Sequence, residues 1–563
     1  MTDQALNEST VEGKPLDEES LGSLTLGGFL RDVCRMHAGR EALVFHAPSG
    51  EVVRWTYDEL WAKARAVALA LLARGVTKET RVGVLATNRP EWIAAAFGVA
   101  LAGGTCVAMS TFASREEFEY QLRVGDVAFL IFERAVLKRE FAAELQQLIP
   151  EFGERPTGPI RSTRLPFLRG AVCIDEGQPV GGAVESWADF LRSAPASLTP
   201  LMDAIGAEVA PTDRGIVFFS SGTTAKPKAI MHSHRAAAIQ CWRWRRIWCL
   251  DANVRTWTAN GFFWSGNFAM AMGCTLAAGG CLVLQRYFAT DEALRLMQVE
   301  RVSLPLAWPH QWAKLAEDPA YAGTDLSALH YVPNAAPMRT HPTVNTDWWE
   351  PVAAYGNTET LTINTAWPSD ASPEVREGNH GEPLPGNTIR IVDPMTGRVL
   401  PRGQSGEIAV KGATLMLGYL RIPVEDTFDS EGFFRTGDGG FLDAQGRLHW
   451  HGRLNDIVKT GGANVSPLEI NEVIAECPGV KIVATVGVPH DTLGEIVVAC
   501  VVAEEGATLD ENSVRAYASE RLSSYKVPRR VLFVAESDLA LSVSNKVKTG
   551  ALRELATKRL AGG

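Results

Sequence analysis

Apolar and polar residues along the first part of the chain predict strands and helices in turn. Residues 51–55 are rich in β-branched and aromatic side chains, which are typical of a strand. Thr56 and Glu59 follow with the spacing of a capping box, which predicts the start of a helix. Apolar residues at helical spacing continue over 60–72, and Gly75 predicts the helix end.

The same alternation continues beyond this helix. The pattern predicts a strand at 81–85, a helix at 90–102 and a strand at 105–109. Strands that alternate with helices are typical of an α/β fold, with a mostly parallel sheet wrapped by helices.

Two uncharged runs, 92–114 and 256–285, are long enough to span a bilayer. Glycine pairs interrupt them at Gly103–Gly104 and Gly279–Gly280. Parallel strands that are covered on both faces also give continuous apolar runs. We therefore predict buried helices, glycine turns and buried strands here, and no transmembrane segment.

The glycine content and the pattern of predicted elements change in the last third of the chain. Residues 381–452 are glycine-rich with short strand patterns, which predicts a small β-rich subdomain. Helix and strand patterns alternate again after residue 452, which predicts a smaller α+β domain. The predicted division is a flexible leader at 1–24, a large domain at 25–454 that includes the β-rich subdomain 381–452, and a mobile C-terminal domain at 455–563.

A tryptophan- and arginine-rich stretch at 242–248 allows two interpretations. Such a stretch could stack on nucleic acid. On a helix, however, Trp244 and Trp248 share one face while Arg243 and Arg246 share another. We favour a core-facing stripe opposite a solvated basic face.

Composition and charge narrow the class of protein. A chain of 563 residues exceeds one hydrophobic core, so two or more domains are expected. The net charge of −10 argues against a nucleic-acid partner, which would require a basic surface. The nine cysteines have no CxxC or zinc-ligand spacing, and the polar, acidic N-terminus is unlike a signal peptide. These features predict reduced thiols and a cytoplasmic location.

The segment with the clearest candidate chemistry is a loop after an apolar strand, Ser220-Ser221-Gly222-Thr223-Thr224-Ala225-Lys226-Pro227-Lys228. Hydroxyl and backbone N–H groups can surround phosphate oxygens, and lysine supplies positive charge. Pro227 occupies the position of the second glycine of a Walker A loop, so that motif is excluded. A Ser/Thr-rich turn with solvated lysines is the alternative.

This loop resembles the signature of the adenylate-forming superfamily, which includes acyl-CoA synthetases. The residues shared with that signature are Phe219, Ser220, Ser221, Gly222, Thr223, Thr224, Pro227 and Lys228. Ala225 and Ala229 replace glycines of the pattern, which predicts a somewhat stiffer loop.

Further motifs follow in the order of that superfamily. They are Asn334-Ala335-Ala336-Pro337, Tyr355-Gly356-Asn357-Thr358-Glu359, Arg435-Thr436-Gly437-Asp438 and Gly452-Arg453. The resemblance implies that Tyr355 packs on adenine, Thr358 contacts the α-phosphate and Glu359 holds Mg²⁺. By the same resemblance Asp438 binds the ribose hydroxyls and Arg453 reaches ribose or phosphate.

The resemblance extends into the predicted C-terminal domain. It implies a hinge at Asn455 and an acceptor tunnel lined by Lys459, Gly461, Gly462 and Asn464. Lys546 falls where the family carries its catalytic lysine. Lys228, Thr358, Glu359 and Lys546 are therefore the predicted catalytic residues.

The predicted acid pocket consists of Phe263, Trp264, Asn267 and Trp308. Residues 260–268 loosely resemble a family motif written F-H-x-x-G, with Trp264 at the histidine position. This segment has no aspartate to bind a substrate amine, so an amino-acid substrate is not expected. Nearby aromatic residues favour an apolar acid.

The function implied by the resemblance is an acid–CoA ligase that uses ATP and Mg²⁺. It forms an acyl-AMP intermediate and then an acyl-CoA thioester. Medium- or long-chain fatty, terpenoid, aromatic and steroid side-chain acids all stay open. The alternatives are an enzyme that loads a separate acyl-carrier protein and a non-catalytic nucleotide-binding protein of the same fold. The sequence leaves the oligomeric state open, and a homodimer is one of the alternatives.

Overall fold

A computed structural model describes residues 8–150, 159–175, 180–220, 227–334, 336–351, 354–454, 456, 458–460, 463–490, 493–522, 526–540 and 547–561. The chain divides into two compact units. The larger unit is Glu12–Thr388 with Lys411–Gly432, and the smaller unit is Met1–Val11, Ile389–Val410 and Phe433–Gly563.

The strands up to the phosphate loop are β1 (Thr10–Glu12), β2 (Glu41–His46), β3 (Val52–Thr56), β4 (Arg81–Leu85), β5 (Thr105–Ala108), β6 (Phe129–Phe132), β7 (Gly170–Cys173), β8 (Val184–Ser186) and β9 (Arg214–Ser220). The next are β10 (Lys228–Ser233), β11 (Arg255–Thr258), β12 (Cys281–Leu284), β13 (Leu304–Leu306), β14 (Ala354–Tyr355), β15 (Thr365–Ala366), β16 (Glu382–Pro383), β17 (Asn387–Val392), β18 (Gly406–Gly412) and β19 (Gly418–Tyr419). The last are β20 (Phe434–Leu442), β21 (Leu448–Arg453), β22 (Val458–Thr460), β23 (Ala463–Val465), β24 (Val480–His490), β25 (Gly494–Ala503) and β26 (Arg530–Phe533).

The α-helices of the larger unit are α1 (Leu26–His37), α2 (Tyr57–Leu72), α3 (Pro90–Leu101), α4 (Arg115–Val124), α5 (Phe141–Leu148), α6 (Trp187–Arg192), α7 (Thr199–Glu208), α8 (His234–Ile247), α9 (Cys274–Ala278), α10 (Thr290–Val299), α11 (Pro309–Glu317) and α12 (Pro373–Arg376). Those of the smaller unit are α13 (Pro467–Ala475), α14 (Glu511–Ser519) and α15 (Thr549–Ala561).

Two large sheets organise the larger unit. The first has eight strands in the order β19-β10-β9-β5-β4-β6-β7-β8, and the second has five in the order β13-β11-β12-β2-β3. Neighbours from β9 to β8 in the first sheet are parallel, whereas β9, β10 and β19 pair antiparallel. The structure therefore confirms the predicted α/β class with mostly parallel sheets.

Helix α3 shows why the first uncharged run is a buried helix. All of its residues except Glu91 are buried, as expected for a helix that is apolar on every side. It shares one hydrophobic cluster with α1, α2, α8 and strands of both sheets. Gly103 then turns the chain with a φ of 77° into β5, a backbone angle that favours glycine.

The smaller unit contains two further sheets. One has the strand order β1-β17-β18-β20-β21. The other contains β23, β22, β25 and β24, with β26 paired to β25. Residues of β24 and β25 alternate between two apolar clusters, one shared with α13 and α14 and the other with α15, because successive strand side chains point to opposite faces.

Two expectations differ from the structure. Part of the expected flexible leader is ordered, because Ser9 exchanges backbone hydrogen bonds with Leu400 and Ile391 at 2.8 Å. Strand β1, which follows Ser9, pairs with β17. Backbone groups hold this segment, and the polar side chains of the leader did not indicate that. Arg243, expected on a solvated face, is buried and donates from Nη2 to the Pro385 carbonyl at 2.6 Å. Arg245 and Arg246 are exposed as expected.

Two helical glycines provide a matched test of packing. A Cβ at Gly98 in α3 would lie 2.6 Å from Cγ1 of Val67 in α2, whereas a Cβ at Gly206 in α7 would meet nothing within 4 Å. We expect Gly98→Ala to destabilise the protein by about 1–3 kcal/mol through overpacking. Gly206→Ala should stabilise it by up to about 1 kcal/mol through helix propensity. The midpoint of urea-induced unfolding measures both changes, and equal shifts of the same sign would contradict the packing explanation.

Candidate nucleotide and acyl-acid site

The predicted phosphate loop connects two paired strands. Strands β9 and β10 are antiparallel, with Ser220 opposite Lys228. The apolar residues of β9 are buried, which holds this end of the hairpin in the sheet. Ser221, Gly222, Thr223 and Thr224 lie outside the described residues.

A short strand from a distant part of the chain lies beside Lys228. Strand β19 pairs with β10, with Tyr419 opposite Ile230. The backbone N–H groups of Leu417 and Leu420 donate to the carbonyls of Met231 and Ala229 at 2.8 and 2.9 Å. The Lys228 ammonium lies 4.7 Å from the centre of the Tyr419 ring, within the range of a cation–π contact.

The predicted Tyr355–Glu359 motif forms a tight turn. A Cβ at Gly356 would lie 2.0 Å from the Thr362 carbonyl oxygen, so a larger residue would displace the backbone. Asn357 caps a short 3₁₀ helix, Thr358–Thr360, by accepting from the Thr360 N–H at 3.0 Å. Tyr355 is buried on β14, whereas Thr358 and Glu359 are partly exposed.

Glu359 contacts the same strand that lies beside Lys228. The Tyr419 hydroxyl donates to Oε1 of Glu359 at 2.8 Å, and the Met416 N–H donates to the Glu359 carbonyl at 2.8 Å. The structure thus brings Lys228, Glu359 and Tyr419 together, and Tyr419 is a site residue that the sequence analysis did not find. No sequence pattern marked it, because its role depends on strand pairing across the fold.

This arrangement fits a magnesium-nucleotide complex. Among the described residues, no group of three or more His, Cys, Asp or Glu side chains could hold a metal ion. Mg²⁺ is commonly bound by one or two carboxylates together with substrate phosphates and water. A single carboxylate at Glu359 beside a lysine matches that pattern.

Asn334 lies in a turn that is hydrogen-bonded to a partly buried acid, Glu350. Its N–H donates to Oε2 of Glu350 at 3.0 Å, and the Glu350 N–H donates to Oδ1 of Asn334 at 3.3 Å. Burial raises the pKa of Glu350, against the opposing effects of the Asn334 N–H and of Arg339. Ala336 is buried, and Ala335 lies outside the described residues.

The predicted ribose-binding residues pair within the smaller unit. Asp438 on β20 lies opposite Arg453 on β21, and their Oδ1 and Nε atoms are 3.1 Å apart. Arg453 also donates from Nη1 to the Thr436 carbonyl at 2.8 Å. Asp438 is buried, and buried charges are as a rule paired.

The structure describes only some of the residues predicted to act from the C-terminal domain. Asn455, Gly461, Gly462 and Lys546 lie outside the described residues. Lys459 on β22 lies opposite Asn464 on β23. The hinge, tunnel and catalytic-lysine assignments stay predictions.

The predicted acid-pocket residues belong to a row of aromatic rings. Ring centres lie 5.6 Å apart for Phe263 and Trp264, and 6.2 Å apart for Trp264 and Trp308. The row continues to half-exposed Phe112 at 5.8 Å from Phe263 and to His310 at 5.8 Å from Trp308. Phe112 and His310 were not found from the sequence: Phe112 lies far along the chain from the motif, and His310, two residues after Trp308, carried no pattern of its own.

Other aromatic residues near this motif belong to the core. Phe262 packs on Trp92 with ring centres 5.4 Å apart, and Phe268 packs on Phe218 at 5.6 Å. Trp257 is fully buried and donates to Gln285 at 3.0 Å. Asn267 begins a π-helix, Asn267–Gly273, an element that is rare and frequent at functional sites.

Comparison with known proteins identifies the family. The model of the AMP-binding enzyme family matches residues 30–420, and that of the AMP-binding enzyme C-terminal domain matches residues 469–546. The chain therefore belongs to the AMP-binding enzyme family.

Individual relatives cover nearly the whole chain. A ligase from Rhodococcus jostii that joins CoA to a 7a-methyl-1,5-dioxo-octahydroindenyl propanoate is 30% identical, over 92% of this chain and 97% of that protein. The mitochondrial medium-chain acyl-CoA ligase ACSF2 of Danio rerio is 26% identical, over 99% of this chain and 92% of that protein. The crystal structure of ATP-bound MatB from Rhodopseudomonas palustris superposes with a TM-score of 0.73 at 26% identity, over 95% of this chain and 99% of that one.

These findings confirm three predictions made from the sequence. They are the adenylate-forming family, the α/β fold class and the enzyme class of ATP-dependent, AMP-forming acyl-CoA synthetases. Over the part of the chain that the structure describes, no helix has the length and apolar character needed to span a membrane.

The hydroxyl of Tyr419 provides a direct test of this site. We expect Tyr419→Phe to lower the rate of acid-dependent ATP–pyrophosphate exchange by about tenfold, because a hydrogen bond to a charged group contributes about 1.5–3 kcal/mol. Tyr57→Phe is the matched control, since the Tyr57 hydroxyl donates to the Gly280 carbonyl at 2.8 Å in the core. The control should lower the unfolding temperature and leave the exchange rate nearly unchanged; similar exchange rates in both variants would contradict the role of Tyr419.

Proposed function

We propose that this enzyme joins an apolar, ring-bearing carboxylic acid to coenzyme A, with Mg²⁺ held through Glu359 and with the nucleotide roles predicted above. The observation that carries the proposal is the convergence of Lys228, Tyr419 and Glu359. The Lys228 ammonium lies 4.7 Å from the ring whose hydroxyl donates to Glu359. A cation and a metal-binding carboxylate on one strand edge suit the phosphates of ATP.

In the first half-reaction, the substrate carboxylate attacks the α-phosphorus of ATP and pyrophosphate leaves. The nucleophile is already ionised at neutral pH, so no general base is required. Lys228 offsets negative charge on the phosphoryl oxygens, and Thr358 orients the α-phosphate. Mg²⁺, when bound, supplies further positive charge there.

In the second half-reaction, the CoA thiolate attacks the acyl carbonyl of acyl-AMP. A thioester bond forms, the acyl–phosphate bond breaks and AMP leaves. We propose that Lys546 acts in the first half-reaction only, and that Lys459 and Asn464 line the approach of the thiol.

The acid class follows from the aromatic row. Phe112, Trp264 and Trp308 keep part of their rings exposed, with buried Phe263 packed between Phe112 and Trp264. Such rings suit a ring-bearing acid by burial and by edge-to-face packing. The bicyclic propanoate of the Rhodococcus jostii ligase and the medium-chain acids of ACSF2 set the range of acids to test first. A cytoplasmic location and a homodimer stay predictions.

A panel of acids tests the substrate class and the acceptor together. Purified enzyme, ATP and Mg²⁺ are combined with ring-bearing, medium-chain and small polar acids, each with and without CoA, and AMP and thioester are quantified. We expect the highest kcat/KM with a ring-bearing acid, and AMP release that depends on CoA. If acyl-AMP accumulates in the presence of CoA but is consumed in the presence of an acyl-carrier protein, the acceptor is the carrier protein and not CoA. A preference for small polar acids would contradict the role of the aromatic row.

The role of Lys546 is tested by separating the half-reactions. We expect Lys546→Ala to lower pyrophosphate exchange at least a hundredfold, because a charge stabiliser can contribute several kcal/mol to one step. Thioester formation from pre-made acyl-AMP should be nearly unchanged. Lys548→Ala, two residues further on, is the matched control and should leave both steps intact. If Lys546→Ala lowered the rates of both half-reactions equally, the proposal that Lys546 acts only in the first would be wrong.

A further inference from the structure

The turn that carries Thr358 and Glu359 has an unfavourable backbone. Leu361 and Thr362 have φ angles of 50° and 92°. A positive φ is a marked outlier for a β-branched residue such as Thr362. Such conformations persist only where surrounding contacts over-determine them, and they cluster at functional sites. The contacts that hold this turn therefore bear on function.

Two neighbouring elements direct side-chain N–H groups at this turn. His232 on β10 lies with Nε2 2.8 Å from the Thr358 carbonyl. Because a carbonyl only accepts, Nε2 carries the proton. His232 is fully buried, and burial lowers its pKa to about 4, so the ring is a neutral donor at neutral pH.

Helix α8 supplies the other donors. Nε2 of Gln240 donates to the carbonyls of Thr360 and Ile363 at 3.1 and 2.8 Å. Nε1 of Trp244 donates to Oγ1 of Thr362 at 2.8 Å. Residues four apart on a helix share a face, so both side chains meet the turn from one side. Both are buried, which makes these bonds costly to lose.

Strand β19, which pairs with β10, and the residues just before it also bind the turn. The Met416 N–H and the Tyr419 hydroxyl bind the backbone and the carboxylate of Glu359. The turn is thus held by β10, by helix α8 and by the segment that contains β19. The Thr358 carbonyl belongs to the residue predicted to contact the α-phosphate.

We propose that His232, Gln240 and Trp244 form a donor row that positions Thr358 and Glu359 for adenylation. These are positioning residues, because they act through the turn and not on the substrates. The inference rests on the proposed roles of Thr358 and Glu359, and it adds the interior side chains on which those roles depend.

Helix α8 contains its own matched control. Trp242 lies two residues before Trp244, is similarly buried and donates from Nε1 to the Ser23 carbonyl at 3.1 Å. Trp242→Phe and Trp244→Phe therefore remove the same atoms and one hydrogen bond each. Only Trp244→Phe removes a bond to the turn.

The experiment measures stability, nucleotide binding and adenylation for both variants. We expect similar decreases in unfolding temperature. Trp244→Phe should also lower kcat for pyrophosphate exchange by about tenfold to a hundredfold, as small misplacements of reacting groups do. It should weaken ATP binding in calorimetry while leaving the KM for the acid unchanged. Trp242→Phe should leave the kcat for pyrophosphate exchange, the affinity for ATP and the KM for the acid nearly unchanged.

A double-mutant cycle tests the bond itself. Thr362→Val keeps the β-branched shape and removes Oγ1, so Trp244→Phe with Thr362→Val should have little more effect than the more severe single variant. Gln240→Met, which keeps length and removes the donor, tests the row independently if Trp244→Phe does not fold. Additive losses in the cycle, or a fully active Gln240→Met variant, would overturn the inference.

Glu359→Gln separates this inference from the proposed function. If Glu359→Gln abolishes exchange while Trp244→Phe and Trp242→Phe behave alike, the donor row is refuted and the role of Glu359 stands. If Glu359→Gln leaves exchange unchanged, the proposed role of Glu359 fails. The donor row then stands only if Trp244→Phe still lowers exchange and Trp242→Phe does not, because His232 also holds the backbone of Thr358.

Discussion

The candidate site depends on the antiparallel pairing of two very short segments, β10 and β19. Residues 416–420 lie between the phosphate-loop strand and the turn that bears Glu359, and they hydrogen-bond to both. This pairing places a lysine, a tyrosine and a glutamate from three separate segments of the chain close together. Backbone hydrogen bonds provide the alignment, since they leave little freedom in strand register.

The rest of the larger unit supports that alignment by burial. Strand β9 pairs with β10 on one edge and, in parallel, with β5 on the other, and every residue of β5 is buried. Gly98 and Gly356 mark places where the backbones approach too closely for a side chain. Dense packing of this kind transmits small displacements, so contacts remote from the substrates can matter for catalysis.

Aromatic residues near the acid-pocket motif divide into two groups with different surroundings. Phe262, Phe268 and Trp257 complete the core. Phe263, Trp264 and Trp308 continue a row that reaches half-exposed Phe112. Phe263 belongs to the same core cluster as Phe262 and Phe268, so only the neighbours in space distinguish the rings of the proposed acid pocket from rings that serve the core alone.

The sequence alone determined the family motifs, the α/β class and many element bounds, including the capping box at Thr56 and the strand Arg81–Leu85. These features depend on local spacing and hydrophobic period, which a sequence displays directly. Only the tertiary structure decided that Tyr419 binds Glu359, that Arg243 is buried, that Thr10–Glu12 pairs in a sheet and that Gln240 and Trp244 bind the turn that carries Thr358 and Glu359. Each of these contacts joins residues far apart in the chain, so it depends on strand register and helix packing, and no local pattern encodes it.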